Sequence, residues 1–146
     1  MIPMSDRAPR ITIDEYSLLE WGARIGAAAR SDRDVERAQM ENLIASLDAV
    51  EGREALLVVA AYAQRQAQRL KKEERAGRAM ARMAGLVAQA MLDLYEKGGG
   101  KKEARVMLGF AKWVYEAFPE NFIFRDVPER LKLTDIMKRI AEVARR

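Results

Sequence analysis

The sequence predicts an all-α protein, a compact bundle of five to six helices, on three observations. Alanine, arginine, glutamate, leucine and methionine dominate, and these are the better helix formers. Only four prolines interrupt 146 residues. Apolar residues recur at three- and four-residue intervals, and no stretch alternates apolar and polar positions as a surface strand would. With 49% hydrophobic and 33% charged residues, the chain can fill one core but is short for two, so residues 1–146 read as a single helical domain.

Residues 1–11 read as a frayed tail. Thr12 and Glu15 have the spacing of a capping box, with Ile11 and Tyr16 placed as a hydrophobic staple, and so start a first helix that runs to about Ala29. Tyr16, Leu19 and Ala23 mark one face of it, and Leu18, Trp21 and Ile25 another. A short helix apolar on two sides is either central to the core or shared with a partner. Ser31 and Asp34 offer the next N-cap, and Val35, Met40, Leu43, Ile44 and Leu47 carry a second helix to about Val50, where Gly52 stops it.

A third helix runs from Arg53 to about Leu70 on a stripe of Leu56, Val59, Ala60, Ala63, Ala67 and Leu70. A fourth extends to Lys97 on Ala76, Met80, Met83, Val87, Ala90, Met91 and Leu94. At 100° per residue the two stripes are out of phase by roughly 140°, so one straight rod could not present both to the same core. A bend or tight turn is therefore expected near Lys71 to Glu74. Gly98, Gly99 and Gly100 end the fourth helix. The fifth covers about Lys101 to Phe118, with Val106, Met107, Phe110, Trp113, Val114 and Ala117 expected to face inward, and Pro119 closes it. Phe122, Ile123 and Phe124 are expected to fold back from the following loop, and Thr134 caps a last helix built on Ile136, Met137, Ile140 and Val143.

The residue inventory narrows the chemistry. Histidine and cysteine are both absent, which removes Ser-His and Cys-His nucleophilic sites, disulfides and the usual zinc sites. No glycine-rich phosphate loop of the Walker type occurs. The glycine triplet before Lys101 and Lys102 reads either as an anion-binding helix start or as a flexible linker. Asp32, Asp34 and Glu36 could be drawn as metal ligands, but they fall where acids serve the first turn of the second helix. Asp93 and Glu96 read as a solvated face. The expectation is a non-enzymatic protein without metal or cofactor. No apolar run reaches the roughly 18 to 20 residues of a membrane span, and the start lacks the features of a signal peptide, so a cytoplasmic protein is expected. High charge, many arginines and no cysteine also fit a thermophile.

Charge is unevenly distributed. Residues 1–52 hold 6 basic and 10 acidic side chains, residues 53–105 hold 12 and 6, and residues 106–146 hold 8 and 6. The positive excess thus sits in the middle. Lys71, Arg75, Arg78 and Arg82 are spaced four, three and four apart, the spacing of one helix face. Arg65, Arg69 and Lys72 lie opposite the apolar stripe of the third helix, and Lys101, Arg105 and Lys112 share a polar face of the fifth. Such a stripe can neutralise successive phosphates whatever the base sequence. The competing reading is a solvated helical face, and Glu73 and Glu74 interrupt the run. Gln64, Gln66 and Gln68 could donate to phosphate or sugar, or simply line a surface.

The segments Leu57-Val58-Val59-Ala60-Ala61-Tyr62-Ala63-Gln64-Arg65-Gln66-Ala67-Gln68-Arg69 and Leu108-Gly109-Phe110-Ala111-Lys112-Trp113-Val114-Tyr115-Glu116-Ala117 resemble the small, all-helical subunit of type III CRISPR effector complexes. The likeness covers about residues 54–118. It implies a non-catalytic subunit of an antiviral ribonucleoprotein, stacked in several copies with other protein subunits. Its basic faces would guide an RNA or RNA–DNA duplex backbone without reading sequence. On this reading Arg65, Arg69, Lys71, Lys72, Arg75, Arg78 and Arg82 contact phosphate, supported by Lys101 and Arg105. The rival expectation is a protein–protein module, a homo-oligomeric adaptor that buries the Trp21 face of the first helix and binds no nucleic acid.

Overall fold

The computed structural model describes residues 11–72 and 78–145, and among them it shows six α-helices, one 3-10 turn and no strand. They are α1 (Glu15–Ala29), α2 (Arg37–Ser46), α3 (Ala55–Lys72), α4 (Arg78–Glu96), α5 (Lys101–Ala117) and α6 (Leu133–Ala144), with the 3-10 turn at Pro128–Arg130.

Helix α1 is the axis of the bundle. Every residue from Trp21 to Arg30 is buried, so the second half of the helix faces the interior all round, while Tyr16 near its start is 53% exposed. Trp21 is 1% exposed, which rules out the shared Trp21 face expected of a homo-oligomer. Two glycines let α5 press against α1. A Cβ on Gly22 would lie 2.5 Å from the carbonyl oxygen of Met107, and one on Gly26 would lie 2.5 Å from that of Ala111. Because 22 meets 107 and 26 meets 111, the two helices run parallel.

The other directions follow from named contacts. Arg53, just before α3, donates from Nε to the carbonyl oxygen of Gly99 at 2.9 Å, just beyond α4, so α3 and α4 pack antiparallel. They are two helices rather than one rod. Val35, Arg37 and Asp48 meet Tyr115, Glu116 and Arg105 in that order, so α2 crosses antiparallel to α5. Leu133 donates to Glu20 at 3.0 Å and starts α6 beside the first half of α1. One end of the bundle therefore gathers the C-termini of α1, α3 and α5 with the N-termini of α2 and α4. The opposite end gathers the N-termini of α1, α3 and α5 with the C-termini of α2 and α4.

Local chemistry sets the boundaries. The N-cap of α1 is Asp14, which accepts from the Ser17 N–H at 2.8 Å, while the Thr12 hydroxyl donates to the Asp14 carboxylate. The cap falls two residues later than the Thr12 expected. Helix α2 starts at Glu36, whose N–H is met by Gln39 at 2.6 Å, and ends at Ser46, so the stretch to Val50 is not helical. Lys132, not Thr134, is the N-cap of α6. The aromatic loop does fold back: Phe122 stacks on Phe118 at 4.5 Å, and Phe124 meets the same ring edge-on at 5.7 Å. The stripes expected of α3 and α4 face the core at every described position. In α5 the expected Met107 and Val114 do face inward, and Phe110 packs half-buried on the second cluster; the rest of the inward face is Ala104, Leu108, Ala111 and Tyr115, while Val106, Trp113 and Ala117 point outward.

Candidate nucleic-acid interface

The candidate cations fall into two groups at opposite ends of the bundle. Helix α3 carries Arg65 and Arg69, both exposed and one turn apart, on the side away from Val59, Ala63 and Leu70. Lys71 and Lys72 complete its last turn; their side chains, and the whole of Arg75, lie outside the described residues. Helix α4 opens with Arg78 and carries Arg82 one turn later, both exposed. The antiparallel hairpin therefore brings Arg65, Arg69, Arg78 and Arg82 to its tip.

The four-three-four spacing does not survive intact. It assumed one continuous face from Lys71 to Arg82, but α3 ends at Lys72 and α4 begins at Arg78. Among the described members, Arg78 and Arg82 keep helical register with one another. The stripe is replaced by a cluster at a helix–helix corner.

Lys101 and Arg105 do not join it. They stand beyond the far end of the 19-residue α4, roughly 28 Å away at 1.5 Å per residue. There Arg105 donates to Asp48 at 2.9 Å, and this hydrogen bond and charge, helped by Lys101, hold the Asp48 carboxyl below its usual range. Asp14, Glu51 and Glu54 are exposed at the same end, so charges of both signs mix there. Lys112 is likewise engaged, with Glu41 at 3.7 Å and Glu116 at 3.8 Å.

At the basic tip the balance differs. Among the described residues, no carboxylate lies within ion-pair distance of Arg65, Arg69 or Arg78, while Arg82 has one loose partner, Glu129, at 3.9 Å. The N-terminus of α4 is itself closed to anions, because both oxygens of Asp34 accept its first N–H groups, from Ala79 and Met80, each at 3.2 Å.

The acids drawn as metal ligands have separate jobs. Asp34 caps α4 rather than α2, Asp32 accepts from the Arg33 N–H at 2.7 Å, and Glu36 caps α2. Among the described residues no group of three or more acids is placed to hold a metal ion. The glycine triplet is neither linker nor anion site. Gly98 turns the chain at φ +87°, the Gly99 N–H returns to the Leu94 carbonyl at 2.7 Å, and Glu103 accepts from Gly100 at 3.3 Å. Arg53 locks this turn, its guanidinium 4.6 Å above the Tyr95 ring.

Sequence reasoning missed two buried arginines of α1. Arg24, 4% exposed, donates to the Leu131 carbonyl at 2.9 Å and to Glu20 at 3.1 Å; burial pulls its pKa down, and Glu20 and Glu129 oppose that pull. Arg30 donates to the carbonyls of Pro119 and Phe122 and lies 5.0 Å over Tyr115. A cavity of about 620 Å³ opens beside it. Its walls carry Arg30, Arg33 and Arg37 against Asp32, Glu36, Glu116 and Glu120, so it offers anions no net attraction. Among the described residues no helix is long and apolar enough to cross a membrane. The chain matches no protein-family model, no curated protein and no solved structure.

Proposed function

We propose that the chain is a non-catalytic, nucleic-acid-associated subunit of a larger ribonucleoprotein assembly, contacting backbone phosphates through the tip of the α3–α4 hairpin. One observation carries the reading: Arg65, Arg69 and Arg78 are exposed at one end of the bundle with no carboxylate among the described residues within ion-pair distance. Cations without an ion-pair partner among the described residues are available to displace counterions from phosphate, a contact indifferent to base sequence. The resemblance of residues 54–118 to the small subunit of type III CRISPR effectors supports the same reading, and a cytoplasmic RNA or RNA–DNA duplex would be the partner. Lys101 and Arg105 have no part in this track.

The test is fluorescence anisotropy with labelled single-stranded RNA, an RNA–DNA duplex and duplex DNA across roughly 50 to 300 mM salt, where phosphate contacts reveal themselves. Binding should weaken steeply with salt and ignore sequence, and Arg65→Glu/Arg69→Glu/Arg78→Glu should abolish it with the helical content intact. Absence of binding at low salt, or equal binding by the triple variant, would overturn the assignment.

A further inference from the structure

The outer face of α5 is apolar where a solvated helix would be polar. Trp113 is 72% exposed, Val106 is 40% exposed, and Gly109 and Phe110 between them are half-buried. Val106, Gly109 and Trp113 lie on the side away from Ala104, Met107 and Ala111, which pack toward α1, and Phe110 stands at the edge of that side. Phe110, with half-buried Met137 and Ile140 of α6, packs inward on the cluster of Ala23, Ala27, Val114 and Ile136, so the exposed patch borders that helix. A contiguous exposed patch with an aromatic centre marks an interaction surface.

Gly109 says what kind of surface. Glycine is disfavoured inside a helix, and Gly22 and Gly26 are explained by the backbone of α5 pressed against them. A Cβ on Gly109 would meet nothing within 4 Å. Within this chain the residue has no packing reason, and on its open side it leaves a hole one side chain deep. Gly85 of α4 also meets open space, but its face carries Arg78, Arg82 and Glu96.

Charge selects the occupant. The face begins at exposed Lys102 and ends at exposed Glu116 and Glu120. We propose that a second copy of this chain docks its own α5 here, antiparallel, about a two-fold axis at Gly109. In that register Val106 of each copy meets Trp113 of the other across the open side of Gly109, and Lys102 approaches Glu116. The helix dipoles also oppose favourably. The inference is independent of nucleic-acid binding, because α1 lies between α5 and α4 and the basic tip belongs to another side of the bundle.

Sedimentation velocity over a concentration series reads the assembly, and the natural absence of cysteine makes single-cysteine cross-linking clean. The expected results are a dimer, and a Trp113→Glu variant, helical by circular dichroism, that dimerises about thirtyfold more weakly. Gly109→Cys should cross-link to itself on mild oxidation, and Gly85→Cys should not. A monomer at every concentration, a dimer indifferent to Trp113→Glu, or equal cross-linking at the two positions would overturn the proposal. So would quenching of Trp113 fluorescence by single-stranded RNA on a chain that stays monomeric, since the face would then belong to bases.

Discussion

The carboxylate of Asp34 accepts the backbone N–H of Met80 at 3.2 Å, and its second oxygen accepts Ala79 at the same distance. A side chain from the α1–α2 connection thus serves as the N-cap of a helix more than forty residues away. It fixes where α4 begins, and with it the position of Arg78 and Arg82.

Asp34→Ala should lower stability by about 1 to 2 kcal/mol, because two helix N–H groups lose their acceptor. Asp34→Asn keeps one acceptor oxygen and should cost less. Chemical denaturation with unchanged m-value would separate this from a change in the unfolded chain. Equal stability of Asp34→Ala and the parent would show that the cap is dispensable.

Gly26→Ala should destabilise by about 1 to 3 kcal/mol or more, since the added carbon would collide with backbone and with Val114, neither of which can turn aside. Gly109→Ala, by contrast, should leave monomer stability equal or raise it by about 0.4 to 1 kcal/mol. Thermal unfolding of both variants, at concentrations where each is monomeric, is the comparison to make. Similar losses at the two glycines would refute the packing argument.

The Tyr115 hydroxyl donates to the Val35 carbonyl at 2.7 Å, and burial raises its pKa above the ordinary 10.0. The nearby Arg30 guanidinium pulls the other way and is outweighed. The folded chain therefore holds this proton more tightly than the unfolded one. Its contribution to stability is complete below pH 10 and is lost as pH rises through the folded value. Tyr115→Phe should cost about 0.5 to 1.5 kcal/mol at neutral pH and flatten the alkaline fall. An unchanged alkaline slope would place its origin elsewhere.

Arg105→Ala should leave nucleic-acid affinity and its salt dependence unaltered, and should cost at most about 1 kcal/mol because the Asp48 pair is exposed. Arg69→Ala should instead reduce the salt slope by about one phosphate contact. Anisotropy titrations of the two single variants would distinguish a split set of cations from a continuous track; matching losses would favour the track.

Much of this fold is written in the local pattern. The stripes of α3 and α4 are single, wide and out of phase, and each described member faces the core. Helix α5 carries two apolar arcs, and the one with the larger side chains, Val106, Phe110 and Trp113, looked like the core. The true core arc is Ala104, Met107, Leu108, Ala111, Val114 and Tyr115, set by the close approach of its backbone, at Met107 and Ala111, to Gly22 and Gly26. Size misled where fit decided. Asp34 was misplaced for another reason: spacing along the chain shows only the nearest helix an acid could cap. Arg24 and Arg30 could not be read as interior at all, since the carbonyls that satisfy them, at Leu131, Pro119 and Phe122, lie about ninety or more residues away. The candidate site was half legible. Exposure of Arg65 and Arg69 follows from the α3 stripe, whereas the distance of Lys101 and Arg105 depends on the direction of α4.

The central position of α1 has a consequence for synthesis. It leaves the ribosome before α4, α5 and α6, which cover its faces, and its closest packing partner ends 88 residues later, at Ala117. At 5 to 20 residues per second, the Leu18–Trp21–Ile25 surface stays uncovered for roughly 5 to 20 s. Over that interval a nascent chain must either tolerate a naked greasy helix or hand it to a chaperone, and a chain interrupted before α5 can cover it only in part, through α4.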